Sequence, residues 1–177
     1  AAAIPNDTAL FVSSSRPIRD LEGFALPRSG VETYANRGLA GIDGNISTAL
    51  GIATAHKSTI AILGDLSFLY DLTGLINKEA INCRFIVINN DGGGIFSTLP
   101  QRGSDGFETV FGTPHGLNPA KIAESMGFAA KQISNLKELE AEIKAPISGI
   151  SVVVCDVPDR ESNADNLKGI YQALNSI

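Results

Sequence analysis

Residues 59–94 read TIAILGDLSFLYDLTGLINKEAINCRFIVINNDGGG, and the punctuation of that stretch decides the fold. Thr59–Leu63 and Phe85–Ile88 are short apolar runs rich in β-branched residues, the pattern of strands buried on both faces. Each run stops at a polar or glycine-bearing turn, Gly64-Asp65-Leu66-Ser67 after the first and Asn89-Asn90-Asp91-Gly92-Gly93-Gly94 after the second. Between them Ser67–Asn77, entered from Asp65, is expected to be helical. Strands that are apolar throughout, separated by a helix, predict a parallel sheet covered by helices on both faces.

Working outward, Ala9–Val12 and Ser151–Val154 repeat the strand pattern. Helices are expected over Asn45–Ala55 after Asp43-Gly44, over Pro119–Met126 with proline at its first position, over the Glu- and Lys-rich Leu136–Ile143, and over Asn163–Leu174. The alternation predicts an α/β three-layer sandwich with a central parallel sheet, spanning residues 1–177 as one domain. In such sheets ligands bind outside the carboxyl ends of the strands. Ser97–Gly116 has no clear period, and a segment that long is expected to act as a lid or a partner contact.

The turns after the two central strands carry the chemistry. Parallel neighbouring strands would deliver Asp65 and Asn90 to one edge of the sheet, with Gly92 just beyond. Mg²⁺ takes oxygen ligands, few of them from protein and the remainder from phosphate and water. Asp65, the Asn90 amide oxygen and a turn carbonyl meet that demand. The N–H groups opening the helix after Asp65, with the Ser67 hydroxyl, are expected to offer an anion site. Taken singly, Gly-Asp reads as a helix cap and Asn-Asn-Asp-Gly as a turn. It is their pairing, each behind a strand and 25 residues apart from Asp65 to Asn90, that points to a metal and a diphosphate.

Composition narrows the remaining classes. With 177 residues, 44% of them hydrophobic, the chain suffices for one well-cored domain and falls short of two. A net charge of −5 and the lack of any run of like charges argue against nucleic acid as a partner. No stretch has the length of a membrane span, so a soluble, cytoplasmic protein is expected. Cys83 and Cys155 sit in or beside apolar runs and read as small hydrophobes in a reducing compartment. The start, Ala1-Ala2-Ala3-Ile4-Pro5, lacks an initiator Met and suggests an excised piece of a longer chain. His56 and His115 lie apart from the motifs and read as surface or loop histidines, Asp71 as a residue that caps or solvates the helix after Asp65, and Arg16 and Arg28 as surface groups.

The pairing of Gly64-Asp65-Leu66-Ser67 with Asn89-Asn90 resembles the thiamine-diphosphate motif that begins Gly-Asp-Gly and ends Asn-Asn, with Leu66 in place of the third glycine. Asn36-Arg37-Gly38, Gly41-Ile42-Asp43-Gly44, Gly64–Leu72 and Asn89–Ser97 together resemble one branch, the family of 2-succinyl-5-enolpyruvyl-6-hydroxy-3-cyclohexene-1-carboxylate (SEPHCHC) synthases of menaquinone biosynthesis. The likeness is strong in those blocks, fades after Gln101, and covers the C-terminal, diphosphate-binding domain of the family enzymes.

The resemblance implies a thiamine-diphosphate-binding fold and a transferase that decarboxylates 2-oxoglutarate and adds the resulting carbanion to isochorismate. It implies Mg²⁺, or Mn²⁺, on Asp65, Asn90 and Gly92, and cofactor contacts from Gly64, Leu66, Ser67, Ile95 and Ile42, which would prop the cofactor into its bent form. It implies substrate contacts from Ser15, Arg19, Arg37, Ile95 and Phe96, and guanidinium groups suit the carboxylates of both acids. The glutamate that assists cofactor activation belongs to a separate N-terminal pyrimidine-binding domain, commonly of another subunit. No segment here resembles that domain, so no catalytic residue is assigned, the isolated chain is expected to be inactive, and a homo-oligomer is expected. The alternatives are the cofactor domain of another 2-oxoacid enzyme, of acetolactate synthase or decarboxylase type, and a non-catalytic α/β assembly module.

Overall fold

The computed structural model describes residues 1–76 and 80–176. Six strands form one sheet: β1 (Ala9–Val12), β2 (Thr33–Tyr34), β3 (Thr59–Gly64), β4 (Cys83–Asn89), β5 (Ala129–Ile133) and β6 (Ile150–Asp156). Their order is β2-β1-β3-β4-β6-β5 and every pairing is parallel. The helices are α1 (Arg16–Phe24), α2 (Asn45–Ala53), α3 (Asp65–Tyr70), α4 (Pro119–Ser125), α5 (Leu136–Lys144) and α6 (Arg160–Leu174).

Strand alternation divides the core into two layers. Phe11, Ala61, Leu63, Phe85, Val87, Val152 and Val154 face one way and pack with Ile46, Ala49 and Leu50 of α2, Phe68 of α3, and Ala120 and Ala123 of α4. Leu10, Val12, Ile60, Ile86 and Val153 face the other way, against Ile18 and Leu21 of α1 and Leu139 and Ile143 of α5. The expected α/β three-layer sandwich is the fold found.

The chain leaves β1 through α1 on one face toward β2, then returns through α2 on the opposite face to β3, on the far side of β1. That reversal makes a switch point between β1 and β3, where the helices part and leave a crevice at the carboxyl edge. No helix among the described residues is long and apolar enough to cross a membrane.

Four elements depart from the sequence reading. The edge strands β2 and β5 were not anticipated, because Thr33-Tyr34 is too short to show a pattern and Ala129–Ile133 carries Lys131 and Gln132 on an exposed edge. Helix α1 escaped because it is short and its apolar side, Ile18 and Leu21, is only half-buried, although Ser15 at the cap position and Pro17 in the first turn mark its start. The helix expected over Ser67–Asn77 is instead α3 followed by a 3₁₀ turn over Leu72–Leu75, and Asn77 lies outside the described residues. Cys83 is fully buried, which pushes its thiol up to about 12, and burial also raises Cys155. Both cysteines are unpaired.

Candidate functional site

Gly64, the last residue of β3, pairs with Ile88 of β4, so the two chemistry-bearing turns leave the sheet side by side. Asp65 opens α3 and is only 2% exposed. Its Oδ2 accepts the backbone N–H groups of Asn90 at 3.2 Å and Gly92 at 2.9 Å, and its Oδ1 accepts the N–H of Leu66 at 2.7 Å. A buried carboxylate is costly unless such donors surround it. Asp65 is therefore the group about which the two turns are built.

Strand alternation separates the two asparagines. Asn89 donates its amide to Asp156 Oδ1 at 2.8 Å, whereas Asn90 lies against Gly94 and lines the crevice. The glycines after them are required by close approach: a Cβ on Gly92 would come within 2.2 Å of the Gly112 carbonyl, and one on Gly93 within 2.2 Å of the Phe111 carbonyl. Gly92 also has φ of 128°.

The crevice has a volume of about 490 Å³. Its walls include Ser15 and Arg19 from the turn after β1 and from α1, Arg37 and Ile42 from the segment after β2, Gly64, Asp65, Leu66 and Ser67 after β3, and Asn90, Gly92, Ile95 and Phe96 after β4. All twelve residues singled out from the sequence thus converge on one cleft. A second cavity of about 520 Å³ lies between α1 and the β2 edge, shares only Arg37 with the first, and holds none of the other eleven.

Several roles differ in detail from expectation. The Ser67 hydroxyl donates to the Ile42 carbonyl at 3.2 Å and accepts from Asn45 Nδ2 at 2.9 Å, so it braces the turn that carries Ile42. With the Leu66 N–H held by Asp65, two donors expected to serve an anion are spent within the protein. Arg16, expected at the surface, lines the cleft and pairs with Asp20, whose carboxyl is raised chiefly by burial, with Arg16 opposing. Arg28 lies outside the cleft and fastens the carbonyls of Ala1 and Ile4. Asp71 is buried and accepts the Ser47 N–H at 2.8 Å and the Ser47 hydroxyl at 3.2 Å, capping α2 rather than the helix after Asp65.

At the α1 wall of the cleft, Ser15 sits at φ 73°, an uncommon conformation for a non-glycine residue, and its carbonyl accepts Arg19 Nη1 at 2.7 Å. Arg37 is exposed at the rim. The Ser97–Gly116 segment is anchored rather than a free lid. It carries a 3₁₀ turn over Phe96–Thr98 and a π-helical turn over Glu108–Gly112, and the Phe96 and Phe111 rings pack tilted at 49° with centroids 5.3 Å apart. Arg102 pairs with Glu161 and Asp165 of α6, and Arg160 pairs with Glu108 at 2.6 Å.

His115, a loop residue by its sequence context, reaches Asp65, a contact that no motif announces. Its Nε2 lies 3.2 Å from Asp65 Oδ2. The signal was topological: a segment leaving β4 and entering α4 starts and ends at the carboxyl edge, and His115 is three residues before Asn118, the cap of α4. His56 instead bonds the Tyr34 hydroxyl at 3.0 Å, away from the cleft.

The donor set suits a hard cation bound together with phosphate. It offers one carboxylate, one amide oxygen and one turn carbonyl, which leaves coordination positions for phosphate oxygens and water. Among the described residues no three His, Cys, Asp or Glu side chains gather into an all-protein metal cage. A site with a single carboxylate ligand would present none.

A family model described as "Thiamine pyrophosphate enzyme, C-terminal TPP binding domain" matches residues 23–157. A SEPHCHC synthase of Thermobifida fusca (strain YX) is 38% identical over 183 aligned residues, covering 98% of this chain and 32% of the relative. One of Staphylococcus aureus (strain MRSA252) is 41% identical over 173 residues, covering 96% and 30%. The chain thus spans about a third of the length of these curated relatives. An X-ray structure of a Mycobacterium smegmatis protein, provisionally described as a thiamin diphosphate-dependent enzyme, superposes with a TM-score of 0.67 at 22% identity, over 88% of this chain and 30% of that one, a likeness of fold.

Proposed function

The chain belongs to the family of C-terminal TPP-binding domains of thiamine pyrophosphate enzymes, and from that premise we propose that it supplies the diphosphate-and-metal half of the cofactor site in a SEPHCHC synthase. The observation that carries this reading is the convergence of Asp65, Asn90 and Gly92 with Ile42, Arg19 and Arg37 on one cleft at the switch point.

In this reading Asp65, the Asn90 amide oxygen and the Gly92 carbonyl would hold Mg²⁺ or Mn²⁺, which would supply the positive charge that a diphosphate needs. That task falls to the metal because the Leu66 N–H and the Ser67 hydroxyl are already engaged. Gly64 and Leu66 floor the cofactor pocket, and Ile42, held by Ser67, props the cofactor from below. Ile95 and Phe96 form an apolar wall that keeps water from the reacting carbon. Ser15, Arg19 and Arg37 receive the carboxylates of 2-oxoglutarate and isochorismate. Bound thiamine diphosphate supplies the electron sink that lets the 2-oxoacid lose CO₂ and the remaining carbon add to the second acid. The activating glutamate comes from a pyrimidine-binding domain in another part of the enzyme, commonly of another subunit, which makes a homo-oligomer the working form. Leu66, where other thiamine-diphosphate families carry glycine, favours this enzyme over an acetolactate synthase or a decarboxylase.

The test is carboligation by the full-length enzyme with 2-oxoglutarate and isochorismate, run beside the isolated chain. We expect turnover only in the former, and about a tenfold or larger rise in KM for one of the acids in Arg37→Ala, the worth of one hydrogen bond to a charged group. Turnover by the isolated chain, or an unchanged KM for both acids, would contradict the assignment.

A further inference from the structure

His115 is held from both sides of its ring. The side chain is only 10% exposed. Nδ1 accepts the N–H of Leu117 at 3.0 Å, and Nε2 lies 3.2 Å from Asp65 Oδ2. A neutral imidazole carries one N–H and one bare nitrogen. Asp91 Oδ1 also lies 3.5 Å from Nδ1, beyond the 3.0 Å bond that Leu117 makes there, and a neutral ring that accepts at Nδ1 places its proton on Nε2, facing Asp65. The backbone under the ring is pinned as well, because Asp91 Oδ1 accepts the N–H groups of His115 at 3.0 Å and Gly116 at 2.8 Å.

Asp65 Oδ2 therefore gathers three donors, the N–H groups of Asn90 and Gly92 and the His115 ring, while Oδ1 takes the Leu66 N–H within its own turn. Two of the three donors on Oδ2 come from the glycine turn itself. The third comes from a position 50 residues from Asp65, at the far end of the 97–116 segment. The two oxygens are thus unequal, one committed to the protein on three sides and the other lightly held.

We propose that His115 is a positioning residue for Asp65: its Nε2–H fixes the rotation of the carboxylate, so that the more lightly held oxygen is presented to the cation without a search. The inference rests on reading Asp65 as a metal ligand and adds a residue that none of the motifs contains. Groups that orient a ligating side chain from outside the coordination shell commonly set metal affinity as strongly as some ligands do. The same bond makes the ligand's orientation depend on the folding of the 97–116 segment, which carries no ligand of its own.

The experiment measures Mg²⁺-dependent binding of thiamine diphosphate by calorimetry in the wild type, His115→Ala and His115→Gln, beside long-range ¹⁵N–¹H spectra of the His115 ring. The expected result is an Nε2–H tautomer in the wild type and a rise of about tenfold or more in the Mg²⁺ concentration for half-saturation in His115→Ala. His115→Gln, whose amide keeps a donor at comparable reach, should recover most of the loss, which a purely space-filling role would not predict. Thermal melting of each variant separates lost binding from lost folding. An Nδ1–H tautomer overturns the proposal, as does wild-type Mg²⁺ dependence in a folded His115→Ala, or a His115→Gln that is folded and as weak as His115→Ala. If the wild type binds and only the variants behave unexpectedly, this inference alone falls. A wild type with no Mg²⁺-dependent binding takes down the ligand reading of Asp65 and this inference with it.

Discussion

The turns that close β3 and β4 and the segment from residue 97 to 117 meet at the same carboxylate, yet they were read from the sequence with opposite success. In the turns, each residue's part follows from its near neighbours: a strand ends, a carboxylate starts a helix, and glycines admit a close approach. In the long segment every tie that matters runs to a distant residue, Gly112 to Gly93, Arg102 to Glu161, Glu108 to Arg160 and His115 to Asp65. Local chemistry is written in order along the chain, and contacts of that range are not. The difference teaches that a motif reading finds the ligands of a site before it finds what holds them.

The largest expected effect comes from breaking the contact between the two regions. In Gly93→Ala the new methyl would lie 2.2 Å from the Phe111 carbonyl, so either the turn or the π-helical segment must shift. We expect a loss of about 1–3 kcal/mol in denaturant unfolding, the cost of overpacking. A loss below about 0.5 kcal/mol would show that the long segment yields freely and is a lid after all.

A smaller effect sharpens the comparison within the legible half. Asp71 lies in the sequence between the two motifs, yet it serves α2, whose own cap position is Gly44 with no side chain to offer. Asp71→Ala should cost about 1–2 kcal/mol, as the loss of a helix cap does, while leaving cofactor binding within about twofold. If binding fell with little change in stability, Asp71 would belong to the site rather than to the scaffold.

The smallest effect is a pH dependence. The N–H of Gly116 above all holds the Asp91 carboxyl below its ordinary value of 3.8; burial opposes it, and the N–H of His115 adds to the lowering. A depressed carboxyl stabilises the fold fully above 3.8 and loses that contribution as pH falls through the lower folded-state value. Asp91→Asn should therefore flatten the fall in stability below pH 3.8 and change its slope little above it. The difference will be modest because Asp91 is half exposed and solvent screens it. Identical acid limbs in the two proteins would remove Asp91 as the staple of the segment.

How much was legible follows the same division. The bounds of β1 matched because Ala9–Val12 is apolar between polar neighbours, and the central strands were located because burial on both faces leaves no polar interruption. Strand β5 was missed because an edge strand exposes polar side chains, and α1 because its apolar stripe is short, Ile18 and Leu21 only half-buried among charged neighbours. Within the site, Asp65 and Asn90 were singled out by motif spacing and Ile42 by the family resemblance, whereas the partners of Ser67 and Asp71 were not foreseen, since both reach across to the turn and helix that precede β3. His115 was set aside because no neighbour in the sequence announces it. Only the rule that every connection from strand to helix returns to the carboxyl edge places it beside Asp65.

The central claim is that Asp65 anchors a metal that in turn holds a diphosphate, and one titration tests it most directly. Thiamine diphosphate would be titrated calorimetrically into the chain with and without Mg²⁺, and again into Asp65→Ala. Saturable binding that requires Mg²⁺ and disappears in Asp65→Ala is the predicted result. Binding that ignores Mg²⁺, or that survives intact in a folded Asp65→Ala, would contradict it.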